Sequence, residues 1–268
     1  MTDTDSTNAL EAERVTLSYD RVAVVEGLEL GIRTGSFTVL IGPNACGKST
    51  ALKGLARLLT PAAGRVLLDG RDIALRRTRD IARELALLPQ APLTPPSVTV
   101  ADLVSRGRAP YQSLLRQYSR EDERAVTAAM AATGIEDLAD RPVDELSGGQ
   151  RQRVWIAVAL AQETDVLLLD EPTTYLDLAH QIEVLDLCAR LHAAGRTLVV
   201  VLHDLNMAAR YATELVAFKA GRVVAQGTPH EVVTPAIVRE VFGLEADVIL
   251  DPQTGTPLVV PHRPPHLT

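Results

Sequence analysis

The stretch Val39-Leu40-Ile41-Gly42-Pro43-Asn44-Ala45-Cys46-Gly47-Lys48-Ser49-Thr50 decides the fold of this 268-residue chain. A short β-branched and leucine-rich run leads into a glycine-containing loop, and the residues that follow, from Ala51 to Leu59, have a helical pattern. Short apolar runs of this kind are typical of strands that are buried on both faces of a parallel sheet. The order of strand, glycine-rich loop and helix predicts a loop that binds phosphate groups.

The chemistry of this loop follows from its residue types. Glycines let the backbone curl so that successive N–H groups face phosphate oxygens, and the N-terminus of the next helix adds a partial positive charge. Lys48 is expected to neutralise the β- and γ-phosphates of a nucleotide, and the Ser49 hydroxyl to bind Mg²⁺. The predicted nucleotide-binding residues are Gly42, Pro43, Asn44, Ala45, Cys46, Gly47, Lys48, Ser49 and Thr50.

A second apolar run, residues 166–169, ends in the acidic pair Asp170 and Glu171. Ligands of an open parallel sheet gather at the carboxyl ends of its strands, so Asp170 is predicted to bind Mg²⁺. Neighbouring strand residues face opposite sides, so Glu171 is expected to project away from Asp170 and to polarise the attacking water. A third apolar run, residues 198–202, ends just before His203.

Two regions depart from this alternation of strands and helices. Residues 12–37 and 64–70 resemble short strands whose turn residues, Thr34-Gly35 and Asp69-Gly70, suggest antiparallel hairpins. Residues 100–160 have a mostly helical pattern, with one helix opening at residues 119–124. The predicted fold class is α/β: a P-loop NTPase (RecA-like) core with an antiparallel β subdomain and an inserted α-helical subdomain.

The predicted boundaries are those of one domain. It covers residues 9–250 and includes the helical subdomain at about 91–160. The polar first residues, 1–8, and the Pro- and His-rich end, 261–268, are expected to be flexible tails.

Composition narrows the class of partner. The formal net charge of −7 gives no reason to expect nucleic acid as a partner. The apolar runs are far shorter than the about 20 residues that a membrane-spanning helix needs, and the acidic N-terminus does not have the pattern of a signal peptide. Cys46 and Cys188 lack the spacing of a metal site or a disulfide framework. We therefore expect a reduced, cytoplasmic chain with no transmembrane segment.

The string Leu146-Ser147-Gly148-Gly149-Gln150-Arg151-Gln152-Arg153 resembles the signature motif of ABC (ATP-binding cassette) ATPases. Ser147 is also a good helix N-cap, but a cap explains one serine and not the whole string. The amides at a helix N-terminus make a second anion site. In the ABC family this site closes on the γ-phosphate held by the other subunit. The resemblance therefore implies a homodimer that hydrolyses ATP, with Ser147, Gly148, Gly149 and Gln150 acting in trans.

The resemblance extends from about residue 10 to residue 245 and implies further roles. Tyr19 matches the aromatic residue that stacks on adenine, and Gln90 matches the glutamine that touches Mg²⁺ and contacts the membrane partner. Asp177 matches the loop that crosses the dimer interface, and His203 matches the switch histidine at the γ-phosphate. The implied catalytic residues are Glu171, His203 and Gln90, and the implied Mg²⁺ ligands are Ser49, Gln90 and Asp170.

One residue departs from the family pattern. Many ABC phosphate loops have glycine where this chain has Ala45. A methyl group is tolerated if φ is negative at that position, so we expect a slight tuning of affinity rather than its loss.

Three stretches, residues 104–111, 172–181 and 241–244, resemble the ATPase subunits of ferric-siderophore importers. This resemblance implies ATP-driven import through an integral membrane permease, served by an extracytoplasmic substrate-binding protein. The chain would then lie peripherally at the cytoplasmic face of the membrane. Cobalamin or haem import remains an alternative, as does a cytosolic ABC ATPase of iron–sulfur assembly.

Overall fold

The computed structural model of the protein describes residues 8–92, 96–113 and 118–262. Its strands are β1 (Asn8–Tyr19), β2 (Val22–Arg33), β3 (Phe37–Ile41), β4 (Ala63–Leu68), β5 (Arg71–Asp72), β6 (Leu85–Leu88), β7 (Val166–Asp170), β8 (Thr197–Val201), β9 (Glu214–Lys219), β10 (Arg222–Gly227), β11 (Ala246–Leu250) and β12 (Pro257–Pro261). Its α-helices are α1 (Lys48–Leu55), α2 (Thr78–Ile81), α3 (Val100–Ser105), α4 (Arg120–Thr133), α5 (Gly148–Ala161), α6 (Leu178–Ala193), α7 (Leu205–Tyr211), α8 (Pro229–Val232) and α9 (Pro235–Phe242).

These elements form two compact units. The first contains the described residues up to 74 and from 199 onward, and the second contains residues 75–198. The predicted tails lie mostly outside the described residues, but Asn8 and Pro261 belong to strands rather than to tails. No helix in the described part of the chain is both long and apolar enough to cross a membrane.

The first unit contains a four-stranded antiparallel sheet in the order β2-β1-β4-β5. The turn at Asp69-Gly70 joins β4 to β5, as predicted. The prediction of a hairpin at Thr34-Gly35 is wrong, because β3 after that turn pairs with β9 and not with β2. The hairpin of β1 and β2 turns instead at Asp20 and Arg21, which have φ values of 45° and 73°. Residues other than glycine rarely take such angles, so composition gave no warning of this turn.

A second group of strands in this unit has the order β10-β9-β3-β8. β3 and β9 are parallel, with Val39 opposite Leu215, and every residue of β3 is buried. The phosphate loop begins where β3 ends, at the carboxyl edge of this parallel pair. The sequence prediction of a strand buried on both faces is therefore confirmed for β3.

A hairpin of β11 and β12 near the end of the chain packs on α7. The side chain of Asn206 accepts a hydrogen bond from the Val259 N–H at 2.8 Å and donates one to the Val259 carbonyl at 3.3 Å. The Asn206 amide thus pairs with both backbone groups of Val259, as a neighbouring strand residue would, and connects β12 to α7.

The second unit contains the parallel pair β6 and β7, in which Leu88 lies opposite Leu169. Helices α3, α4 and α5 lie between residues 100 and 161, and the helical subdomain is predicted at about 91–160. The Ser119 side chain accepts from the Asp122 N–H, and the Asp122 carboxylate accepts from the Ser119 N–H. This capping box starts α4 and confirms that a helix opens at residues 119–124.

A buried charged cluster joins the helices of the second unit. Arg108 is 1% exposed and donates to the fully buried Asp122 at 2.8 Å and to Glu163 at 2.7 Å. Its guanidinium also lies 4.0 Å from the centre of the Tyr111 ring. Burial opposes the charge on both Arg108 and Asp122, but their mutual hydrogen bond holds the pKa of Asp122 below and that of Arg108 above the usual value.

Candidate nucleotide-binding site

The phosphate loop of the first unit turns where only glycine fits. Gly42 has a φ of 149°, and a Cβ atom on it would lie 2.3 Å from the carbonyl oxygen of Phe218. Gly47 has a φ of 106° and is the N-cap of α1, which begins at Lys48. The loop therefore ends at a helix N-terminus, the arrangement that directs N–H groups at an anion.

The Lys48 ammonium is held within this loop. Lys48 is 4% exposed, and its Nζ donates hydrogen bonds to the carbonyl oxygens of Gly42 at 2.8 Å and Pro43 at 2.9 Å. The Cys46 Sγ lies 3.8 Å from the same Nζ. The cation thus lies beside the amides that would face a phosphate, where its charge is most effective.

Ala45 does not have the backbone conformation that the sequence prediction assumed. Its φ is 59°, in the left-handed region, and its side chain is exposed. The assumption of a negative φ is therefore wrong. In this region a Cβ atom lies too close to the following carbonyl oxygen, which costs residues other than glycine about 1–2 kcal/mol.

The other predicted residues of the first unit lie at strand ends. Tyr19 is the last residue of β1 and is 43% exposed, so part of its ring surface is open to stacking. His203 is exposed and lies between β8 and α7. The next residue, Asp204, is the N-cap of α7, and its carboxylate accepts from the N–H groups of Asn206 and Met207.

In the second unit the two acids have different environments. Asp170 is the last residue of β7 and is 3% exposed, whereas Glu171 is only half-buried. Glu171 lies beyond the strand and has a φ of 53°. The strand alternation that predicted opposite directions for the two acids therefore does not apply to Glu171, and its direction is set by the turn.

Two hydrogen bonds orient the Glu171 carboxylate. Its Oε2 accepts from the Gln90 Nε2 at 2.6 Å and from the Thr174 Oγ1 at 3.1 Å. Gln90 can reach Glu171 because β6 and β7 are parallel and end at the same edge. The sequence prediction named Gln90 and Glu171 but missed Thr174, whose signal was a hydroxyl three residues after the acid in a turn.

The signature segment begins helix α5. Ser147 is its N-cap: the Ser147 Oγ accepts from the Gln150 N–H at 3.3 Å, and the Gln150 Oε1 accepts from the Ser147 N–H at 3.1 Å. Gly148 is exposed, and a Cβ atom on it would meet nothing within 4 Å. The start of α5 is therefore capped, and at Gly148 it is open to an approaching anion.

Asp177 is the N-cap of helix α6 and precedes an exposed apolar stripe. Its Oδ1 accepts from the His180 N–H at 2.9 Å, and hydrogen bonds from His180 hold the pKa of Asp177 below its usual value. Tyr175, Leu178 and Ile182 around it are 98%, 61% and 37% exposed. Apolar side chains exposed together at helical spacing are typical of a surface that contacts another protein.

Within the described ranges, no group of three or more His, Cys, Asp or Glu side chains could hold a metal ion. The predicted Mg²⁺ ligands are instead a hydroxyl, a carboxylate and an amide oxygen, from Ser49, Asp170 and Gln90. Oxygen donors of this kind suit Mg²⁺, which normally completes its coordination with phosphate oxygens and water. The residues present therefore fit Mg²⁺ that arrives with a nucleotide.

Comparison with known proteins shows the class of this chain. The family model described as ABC transporter matches residues 25–174, which is more than half of the chain. The chain belongs to this family and is an ATP-binding subunit, an ATPase whose activity is coupled to transport.

Individual relatives narrow the class further. The ferric enterobactin transport ATP-binding protein FepC of Escherichia coli (strain K12) is 53% identical over 259 residues, which is 96% of each chain. The iron(3+)-hydroxamate import ATP-binding protein FhuC of Bacillus subtilis (strain 168) is 49% identical over 252 residues, 94% of each chain. The dimeric structure of MJ0796, a bacterial ABC transporter cassette, has a TM-score of 0.73 at 26% identity and covers 82% of this chain and 98% of its own. Within the ABC family, this chain is closely related to the ATPases of ferric-siderophore importers.

Proposed function

We propose that this protein hydrolyses MgATP to drive the import of a ferric siderophore through a membrane permease. The hydrogen bond of 2.6 Å from Gln90 to Glu171 carries the proposal for the reaction, because it fixes a carboxylate where a water could be polarised. The names of FepC and FhuC support the choice of cargo, since they describe ATP-binding proteins of ferric enterobactin transport and of iron(3+)-hydroxamate import.

Each residue set has a separate role in this proposal. The amides of residues 42–50 and the Lys48 ammonium bind the phosphates, and Tyr19 stacks on the adenine. Ser49, Asp170 and Gln90 hold Mg²⁺, which supplies charge neutralisation at the phosphates. Glu171 polarises the attacking water, and His203 contacts the γ-phosphate.

We further propose that the active form is a homodimer. Ser147, Gly148, Gly149, Gln150 and Asp177 would contact the nucleotide that is held by the partner subunit. Two observations support this: the open space at Gly148, the first residue of α5, and the exposed apolar stripe beside Asp177. The dimer would lie at the cytoplasmic face of the membrane under an integral permease, which receives its cargo from an extracytoplasmic binding protein.

The substitution Glu171→Gln tests the reaction. A glutamine carbonyl can accept the hydrogen bonds from Gln90 and Thr174, so the geometry is kept while the base is lost. We expect ATP binding to persist, phosphate release to fall by about 10²–10⁴-fold, and an ATP-bound dimer to accumulate in size-exclusion chromatography. Glu136→Gln, at an exposed glutamate of the same unit, is the matched control and should behave as wild type. A Glu171→Gln protein that stays monomeric and turns over normally would remove Glu171 from this role.

Uptake measurements test the cargo. Cells that lack this gene, and carry either the wild-type chain or Glu171→Gln, are supplied with a labelled ferric siderophore, haem or cobalamin. We expect the wild-type chain alone to restore siderophore uptake. Restoration of haem or cobalamin uptake instead would replace the proposed cargo and leave the ATPase assignment intact.

A further inference from the structure

We propose that His180 is a positioning residue that joins the loop carrying Asp177 to the first turn of the signature helix α5 of the same subunit. Both segments would then meet the partner subunit's nucleotide as one rigid unit. The inference rests on the proposed function in one respect: it takes the dimer as the active form.

The first half of this link is a pair of hydrogen bonds to one carboxylate oxygen. The His180 Nδ1 lies 2.7 Å from the Asp177 Oδ1, and the His180 N–H donates to the same oxygen at 2.9 Å. An ionised carboxylate only accepts hydrogen bonds, so Nδ1 carries the hydrogen. A helix N-cap ordinarily receives backbone donors, and here the ring of the third helical residue adds a side-chain donor.

The second half of the link is a close packing contact with α5. A Cβ atom on Gly149 would lie 2.6 Å from the Cδ2 and 3.0 Å from the Cγ of His180. Gly149 is the second residue of α5 and is buried, and its φ is not positive. Backbone conformation therefore does not require glycine at this position. A side chain at Gly149 would instead displace the imidazole, which lies directly on the helix backbone.

The His180 imidazole thus lies between the loop that carries Asp177 and the first turn of α5. One ring nitrogen holds the exposed Asp177, and the opposite edge packs on Gly149. The Asp177 loop has a further bond of its own, from the Gln181 Nε2 to the Leu176 carbonyl at 3.0 Å, but this bond ties the loop only to α6. Further along, α5 and α6 are joined by the pair Arg153–Glu183, in which the glutamate is 52% exposed and the contribution is correspondingly small.

Three substitutions separate the two halves of the link. His180→Phe keeps a ring against Gly149 but removes the donor to Asp177, His180→Asn keeps a donor but removes the ring, and His180→Ala removes both. Because only the dimer contacts are altered, ATP binding by the monomer should remain as in wild type. For His180→Ala we expect kcat to fall about tenfold, the size of losing one hydrogen bond to a charged group. In a Glu171→Gln background, ATP-induced dimerisation should require correspondingly higher protein concentration.

A double substitution tests the contact with Gly149 directly. Gly149→Ala should reduce kcat because its methyl group displaces the imidazole. In Gly149→Ala combined with His180→Ala the clash is absent, so the combined loss should be smaller than the product of the two single losses. His192→Ala, near the other end of α6, is the matched control and should keep wild-type kcat. Thermal unfolding of every variant identifies any that fails to fold, and His180→Asn, the smallest change, then carries the test.

The outcomes distinguish this inference from the proposed function on which it rests. Wild-type kcat and dimerisation in His180→Ala, or purely multiplicative losses in the double variant, would overturn the role of His180. Ser147→Arg serves as the reference, since a large side chain at the N-cap of α5 should abolish dimer-dependent hydrolysis while the monomer still binds ATP. If Ser147→Arg hydrolyses ATP normally, the trans site itself is wrong, whatever the His180 variants do.

Discussion

Replacing Ala45 by glycine should stabilise this protein, although most alanine-to-glycine substitutions do the opposite. The φ of 59° at Ala45 places a Cβ in the left-handed region, at a cost of about 1–2 kcal/mol that glycine does not incur. Glycine loses about 0.4–1 kcal/mol more conformational entropy on folding, which offsets part of this gain. The exposed methyl group contributes little by burial. The net expectation is a gain of about 1 kcal/mol, or about 2–4 °C in Tm for a chain of this size.

Thermal unfolding without nucleotide measures this gain. Ala128→Gly is the control, because Ala128 is exposed in the middle of α4, where glycine should cost about 1 kcal/mol. The two substitutions make the same chemical change, so opposite shifts of Tm would isolate the backbone conformation as the cause. The dissociation constant for ATP should change only slightly in Ala45→Gly, because the loop N–H groups keep their positions. A fall in Tm equal to that of Ala128→Gly would refute the reasoning.

Three further outcomes are expected. Lys48→Ala should weaken ATP binding by at least about tenfold in an equilibrium titration, because the phosphates lose their charged donor; unchanged affinity would contradict this. Both cysteines are buried, but Cys188 is fully buried and its pKa is raised by burial to about 12, whereas Cys46 is 5% exposed and its Sγ lies 3.8 Å from the Lys48 Nζ. Brief maleimide treatment followed by mass spectrometry should therefore label Cys46 in preference, and MgATP should slow that labelling. Equal labelling of both cysteines would count against this expectation. Asp122→Asn should lower stability by about 3 kcal/mol because it leaves the Arg108 charge buried with less compensation. The pKa of Asp122 is lower in the folded than in the unfolded protein. Its ionised carboxylate therefore stabilises the fold fully above the unfolded pKa, and this stabilisation is lost as the pH falls through the folded pKa. Asp122→Asn lacks this carboxylate, so the free energy of unfolding of the variant should fall less in acid than that of the wild type.

The local features of the site could be predicted from the sequence. The strand β3, the phosphate loop and the start of α1 are adjacent in the chain, and their residue types have few other uses together. The capping role of Ser147 can likewise be predicted from the sequence, because its partner Gln150 lies three residues away. Predictions of this kind need only the geometry of one turn or one helix start.

The features that the sequence prediction missed depend on contacts or angles that a pattern does not encode. The positive φ values of Ala45 and Glu171 follow from how the loops close against the rest of their units, and neither residue type signals them. The contact of His180 with Gly149 joins two helices whose first turns are about thirty residues apart in the chain. The sequence pattern therefore indicates a phosphate-binding role for Gly149 and does not reveal the imidazole that occupies the space beside it.

The hairpin at the end of the chain has a practical consequence for anyone who labels or tags this protein. Val259 of β12 is hydrogen-bonded to the side chain of Asn206 in α7, the helix that begins two residues after His203. A fluorophore or affinity handle attached after β12 is therefore connected, through these hydrogen bonds, to the segment next to His203, the residue proposed to contact the γ-phosphate. We expect a handle at this position to respond to nucleotide turnover and also to alter its rate.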